Sequence, residues 1–147
     1  GKWKWQLDHG RSTPSLVAAG ETPRVITPAC DGADLSSAED RSAAFTETMD
    51  RLTEVARSGL TSSMFDPYIA DDMILQRDGA MPDDKAEMLP PATYGARIAS
   101  GHDSLWTQVW ESHETSTGGH DLRVWQWRGQ RLGWQLALYD LAEATKP

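Results

Sequence analysis

"SLWTQVWESHETSTGGHDLRVWQWRGQRLGWQLALYDL" (residues 104–141) is the stretch on which the fold turns. Three tracts rich in Trp, Val, Leu and Tyr, SLWTQVWESHE (104–114), DLRVWQWR (121–128) and GWQLALYDL (133–141), are separated by the turn-forming TSTGGH (115–120) and GQRL (129–132). Connections this short join antiparallel neighbours. A fourth strand, TYGARIAS (93–100), precedes them across GHD (101–103). The C-terminal half therefore predicts an antiparallel meander.

Upstream of the meander the pattern is helical. Ser36 and Glu39 have capping-box spacing, Leu35 stands where a hydrophobic staple would, and Gly59 is a stop signal. Between them Phe45, Met49, Leu52 and Ala56 follow a helical period and form one apolar face. A second short helix is expected over Ser62 to Ile69, limited by Pro67. After Asp71-Asp72, MILQR (73–77) reads as a strand, DGAMP (78–82) as a turn, and Asp84 to Leu89 as a brief helix closed by Pro90-Pro91. Helices first and strands afterwards is an α+β order.

Length and charge narrow the function. The 147 residues, 39% hydrophobic, suit one domain with one core. A net charge of −8 with scattered Lys and Arg argues against nucleic acid and anionic membrane surfaces as partners. A single cysteine, Cys30, excludes an internal disulfide and a thiolate metal cluster. No apolar run approaches the roughly 20 residues of a membrane helix, and the start carries no signal-peptide pattern. The compartment stays open between cytoplasm and export, and a start at Gly1 suggests a processed or recombinant chain.

Three segments together resemble the SnoaL-like members of the nuclear transport factor two-like superfamily. FDPYIADDMILQRDG (65–79) resembles the family's Ala-Asp-Asp, strand and turn segment, and ASGHDSLWTQVWE (99–111) its next strand with one extra residue. LRVWQWRGQRLGWQLALYDL (122–141) resembles its closing hairpin. The resemblance spans about residues 36–143 and implies a cone-shaped roll of cystatin-like type, with N-terminal helices packed on a curved antiparallel sheet around a pocket.

The resemblance also bears on the start of the chain. Trp5-Gln6-Leu7 in GKWKWQLDHG (1–10) repeats Trp134-Gln135-Leu136 of the predicted closing strand. Residues 1–34 then read as the last strand of a preceding similar domain plus a Pro- and Gly-containing linker, and residues 35–147 as the roll domain. The alternatives are an extra strand of this domain or an arm exchanged with a partner.

In ketosteroid isomerases of this superfamily a carboxylate base faces an oxyanion hole of Tyr and protonated Asp. By the resemblance those positions fall at Arg77, Leu52 and Arg123, so all three roles are vacant; an arginine does not take a proton from carbon at neutral pH. Of the remaining polar residues, Glu111 and His113 share a strand face and form the best acid–base pair, with Asp103 as a further candidate. His102-Asp103 and His120-Asp121 sit in predicted turns, where polar residues are expected for solvation alone. The spacing of these groups matches no metal-ligand motif, and no cofactor is implied.

Alternation places Arg123 with Trp125 and Trp127, Trp106 with Trp110, and Trp134 with Leu136 and Leu138. Core packing accounts for most of these tryptophans. The sharper expectation is a pocket walled by Trp125, Trp106 or Trp110, with Arg123 and Arg77 at its polar end. The expected function is a binding or assembly module for a small apolar or carboxylate-bearing molecule, a homodimer through the outer face of the sheet. The alternative is a small lyase, isomerase or hydrolase using Glu111, His113 or Asp103.

Overall fold

In the computed structural model residues 34–58, 65–77, 97–115 and 118–142 are described, without the side chains of Gln76 and Arg77. The expected helix at Asp84 to Leu89, the stop at Gly59 and the reading of residues 1–33 lie outside the described residues. What is described is an α+β arrangement of one α-helix and one five-stranded mixed sheet that does not close into a barrel.

Helix α1 (Ala38–Arg57) has neither Gly nor Pro in it. Its N-cap is Ser37, whose hydroxyl accepts from the Asp40 amide at 3.1 Å while Asp40 accepts from the Ser37 amide at 2.9 Å. The capping box is thus one residue later than the Ser36/Glu39 pair, because Asp34 takes the Ser36 amide and hydroxyl instead. Leu35 is 88% exposed and staples nothing. Phe45 and Leu52 of the predicted face are buried. Phe45 is the keystone of the helix–sheet contact, its ring centroid lying 5.0 Å from that of Trp134 and 6.3 Å from those of Trp106 and Trp125. Trp134 also ties the helix down by donating its indole N–H to the Arg41 carbonyl at 2.8 Å.

No second α-helix forms over residues 65–69. Asp66–Tyr68 make a single 3-10 turn, with Pro67 in its first positions, and strand β1 (Ile69–Arg77) begins directly after it. The strand is longer than the expected MILQR because Ile69, Ala70, Met73 and Leu75 all enter the core. Strands β2 (Arg97–His102), β3 (Gln108–Glu114), β4 (His120–Trp127) and β5 (Trp134–Ala142) follow as the predicted meander.

The sheet order is β1-β5-β4-β3-β2. The expectation of an all-antiparallel sheet is corrected at one place: β1 runs parallel to β5. A parallel neighbour needs a long crossover, and everything from residue 78 to β5 serves as that connection, whereas the three short links of the meander permit only antiparallel pairing.

The register sorts the side chains into rows. Toward α1 lie Ile69, Leu136, Trp125 and Val109, then Leu75, Tyr139, Arg123 and Glu111, then Asp121 and His113. On the other face a single row crosses all five strands as Ile74, Leu138, Val124, Trp110 and Gly101. Leu138 is therefore not aligned with Trp134 and Leu136; a register shift between Val124 and Trp125 brings Tyr139 to the core face in its place. Trp106 and Trp110 are likewise separated. Trp110 faces away from α1, while Trp106 lies in the β2–β3 turn at φ 51° and reaches Phe45.

Candidate functional site

Strand alternation carries four charged or titratable side chains into the buried face: Glu111 and His113 on β3, Asp121 and Arg123 on β4, each no more than 6% exposed. Arg123 sits beside Trp125 and donates to Asp121 at 2.6 Å, and the Tyr139 hydroxyl donates to the same Asp121 oxygen at 3.4 Å. The guanidinium also lies 5.8 Å from the centre of the Tyr139 ring. Arg123 thus has its carboxylate inside the protein. A buried guanidinium calls for a carboxylate or an anionic ligand nearby, and here Asp121, buried in β4 rather than solvated in a turn, supplies the carboxylate.

Glu111 is the second focus. Its Oε2 accepts from the Trp125 indole at 3.2 Å and lies 3.7 Å from His113 Nε2. Its Oε1 meets Arg97 Nη1 at 3.5 Å, the outer limit of a hydrogen bond. Burial works against its charge, yet the His113 ring, followed by the positive charges of Arg123 and Arg97, holds the carboxyl below its ordinary value. Glu111 is therefore a carboxylate at neutral pH. Its side chain is 4% exposed, whereas that of Arg97 is 59% exposed and crosses diagonally from its register partner, His113.

An open cleft of about 550 Å³ lies between α1 and the β2–β3 edge, within the usual size range of small-molecule sites. Phe45, Met49, Trp106 and Val109 give its apolar walls, and Glu111, Arg97, Asp50 and His102 its polar points. A smaller hollow of about 290 Å³, lined by Met49, Thr53, Arg97, Glu111 and His113, shares three of these residues.

The aromatic wall is held by the β2–β3 turn. Asp103 accepts from the Thr107 amide at 2.7 Å and from the Thr107 hydroxyl, and its carbonyl accepts from the Trp106 amide at 3.1 Å. Partial burial opposes its charge, but the Thr107 hydroxyl and the Thr107 and Gln108 amides keep its carboxyl below the ordinary value. This turn holds Trp106 in the left-handed region, which a bulky residue rarely adopts, and His102 stacks on its ring at 3.9 Å. Asp103 is a positioning residue for Trp106 and does not line the cleft.

The residues predicted for the site are dispersed in an instructive way. Glu111 and Trp106 line the cleft and His113 lines the adjoining hollow. Arg123 and Trp125 face the same side but lie behind Glu111, engaged with Asp121 and with Glu111 itself. Trp110 stands on the opposite face, and Arg77 ends β1 beside Leu141, its side chain outside the described residues. Arg97 and Asp50 were not foreseen. Asp50 falls outside the apolar period of Phe45, Met49, Leu52 and Ala56, and nothing in TYGARIAS marks Arg97, whose role depends on the β2–β3 pairing.

Among the described residues no three His, Cys, Asp or Glu side chains are grouped so as to hold a metal ion. No helix among them is long and apolar enough to cross a membrane. Comparison of the chain with protein-family models, with curated proteins and with solved structures finds no match.

Proposed function

We propose that the chain is a small-molecule-binding module of the SnoaL-like type, a cone-shaped roll whose pocket is the cleft between α1 and the β2–β3 edge. One observation carries this reading: among the described residues the aromatic and aliphatic walls of the cleft converge on one buried carboxylate, Glu111. Such a site takes a molecule with an apolar, ring-sized body and one polar point. Arg123, one of the two arginines expected to anchor a ligand carboxylate, is engaged by Asp121, so the apolar body is the part of the expectation that the geometry favours.

The test is titration with N-phenyl-1-naphthylamine, an uncharged probe that fluoresces in apolar surroundings. One-to-one binding that Met49→Trp abolishes, with the thermal transition retained, supports the reading. Absence of binding, or binding indifferent to a filled cleft, overturns it.

A second reading, a small lyase, isomerase or hydrolase, is favoured by the 3.7 Å approach of His113 to Glu111 beside the smaller hollow. A general base works best with a pKa near the operating pH, and Glu111 is pushed the other way. The binding role therefore stands first. Homodimerisation through the face away from α1 is part of the proposal, supported by the five-strand row through Trp110, Val124 and Leu138. Sedimentation giving a monomer at high micromolar concentration would remove it.

A further inference from the structure

The polar end of the cleft is unequal in charge. Among the described residues two carboxylates, Glu111 and Asp50, face one guanidinium, Arg97, and Arg97 is already directed at Glu111. Arg123, a further guanidinium near Glu111, is 1% exposed and bound to Asp121, so it does not reach into the cleft, and His113 approaches Glu111 at Oε2, from the side of the smaller hollow. The contact between Glu111 Oε1 and Arg97 is long at 3.5 Å, and Arg97 is mostly in water, whereas Glu111 is fixed from behind by the Trp125 indole. Of the two partners the arginine is the solvated one and the carboxylate the one fixed within the fold.

An incoming anion would draw Arg97 off Glu111 and set its own charge beside two carboxylates. An incoming cation does the reverse. It takes the place of Arg97 on a desolvated carboxylate, where a charge-assisted hydrogen bond is stronger than in water, and lets Arg97 return to solvent. The Phe45 and Trp106 rings on the same wall suit the apolar body of such a ligand.

We infer that the cleft receives a ring-bearing organic ammonium ion whose N–H donates to Glu111 Oε1, and that Arg97 is the internal cation it displaces. The inference rests on the binding reading above and adds the sign of the ligand's charge. Asp50, exposed on α1 at the rim, adds attraction for the same sign. Arg97 acts as a competitor for the site.

Three probes with one indole body separate these statements: tryptamine, tryptophol and indole-3-acetate, carrying an ammonium, a hydroxyl and a carboxylate. Calorimetric titration of the full chain at neutral pH is expected to give tryptamine at least tenfold tighter than tryptophol, with indole-3-acetate weakest. Glu111→Gln brings tryptamine down to the level of tryptophol. Arg97→Ala, a change at an exposed side chain that leaves the fold intact, tightens tryptamine severalfold and leaves tryptophol nearly unchanged, so the question is decided even if the Glu111 variant fails to fold. Equal binding of all three probes, or tryptamine weakened by Arg97→Ala, overturns the charge assignment and leaves the pocket standing. Binding of none overturns both.

Discussion

On the face turned to α1, Glu111, Arg123 and Tyr139 lie side by side across β3, β4 and β5. One residue along the same strands, on the other face, Trp110, Val124 and Leu138 do the same. The first row is buried and polar, with its charges paired inside the protein; the second is half-buried and apolar. In most sheets the buried face is the apolar one and the polar residues point outward. Here the arrangement is reversed over part of the sheet. Desolvating Glu111, Asp121 and Arg123 costs free energy, and an apolar row left half-covered forgoes some gain. The contrast sets an interior row whose charges meet partners within the chain against an outer apolar row left half-covered.

The sharpest way to break the contrast is to remove one charge from the buried row. Arg123→Met leaves Asp121 without its 2.6 Å partner at 3% side-chain exposure. A loss of about 3–5 kcal/mol in urea unfolding is expected, and Arg123→Met with Asp121→Leu should recover most of it. A double variant as unstable as the single one would show that the pair supports the fold in some way beyond neutralising itself.

Next in size, two leucines of one strand compare the faces directly. Leu136 is 2% exposed on the helix side, and Leu138 is half-buried on the other side of the register shift. Truncation to Ala should cost about 2–4 kcal/mol at Leu136 and roughly half as much at Leu138. A homodimer through the outer face would raise the cost at Leu138 and make it depend on protein concentration.

Acid should weaken the polar face. The Glu111 carboxyl is held below its ordinary value of 4.5, so the stability it contributes is present above that value and is lost as pH falls through its lower value in the folded state. Glu111→Gln is expected to flatten the acid limb of a stability–pH profile below about pH 4.5. An unchanged limb would mean that its carboxylate is not favoured by the fold.

The smallest expected effect is on the outer face. A Cβ at Gly101 would lie 2.7 Å from the Trp110 indole, which covers the glycine, so Gly101→Ala forces that ring aside. About 1 kcal/mol of destabilisation is expected, with a change in Trp110 fluorescence reporting the displaced ring. Full stability with an unaltered spectrum would show that the ring does not rest on the glycine.

Much of this was legible in the chain itself. Alternation with period two grouped Arg123 with Trp125 on one strand and Glu111 with His113 on the next, and the helical period put Phe45 and Leu52 inward. These are local consequences of backbone geometry and need no partner. The α+β class and the hairpins likewise follow from short turn-rich links. What the tertiary structure decided is which residues meet. The parallel pairing of β1 with β5, the shift that exchanges Leu138 for Tyr139, and the reach of Arg97 from β2 to Glu111 all join segments distant in sequence. So does the burial of Asp121, whose place after TSTGGH reads locally as a solvated turn but whose neighbour across β5 is a core strand. Side-chain direction is written into the covalent chain, residue by residue. The charge state and partner of a buried group depend on everything packed around it, and that is settled only when the strands have found their register.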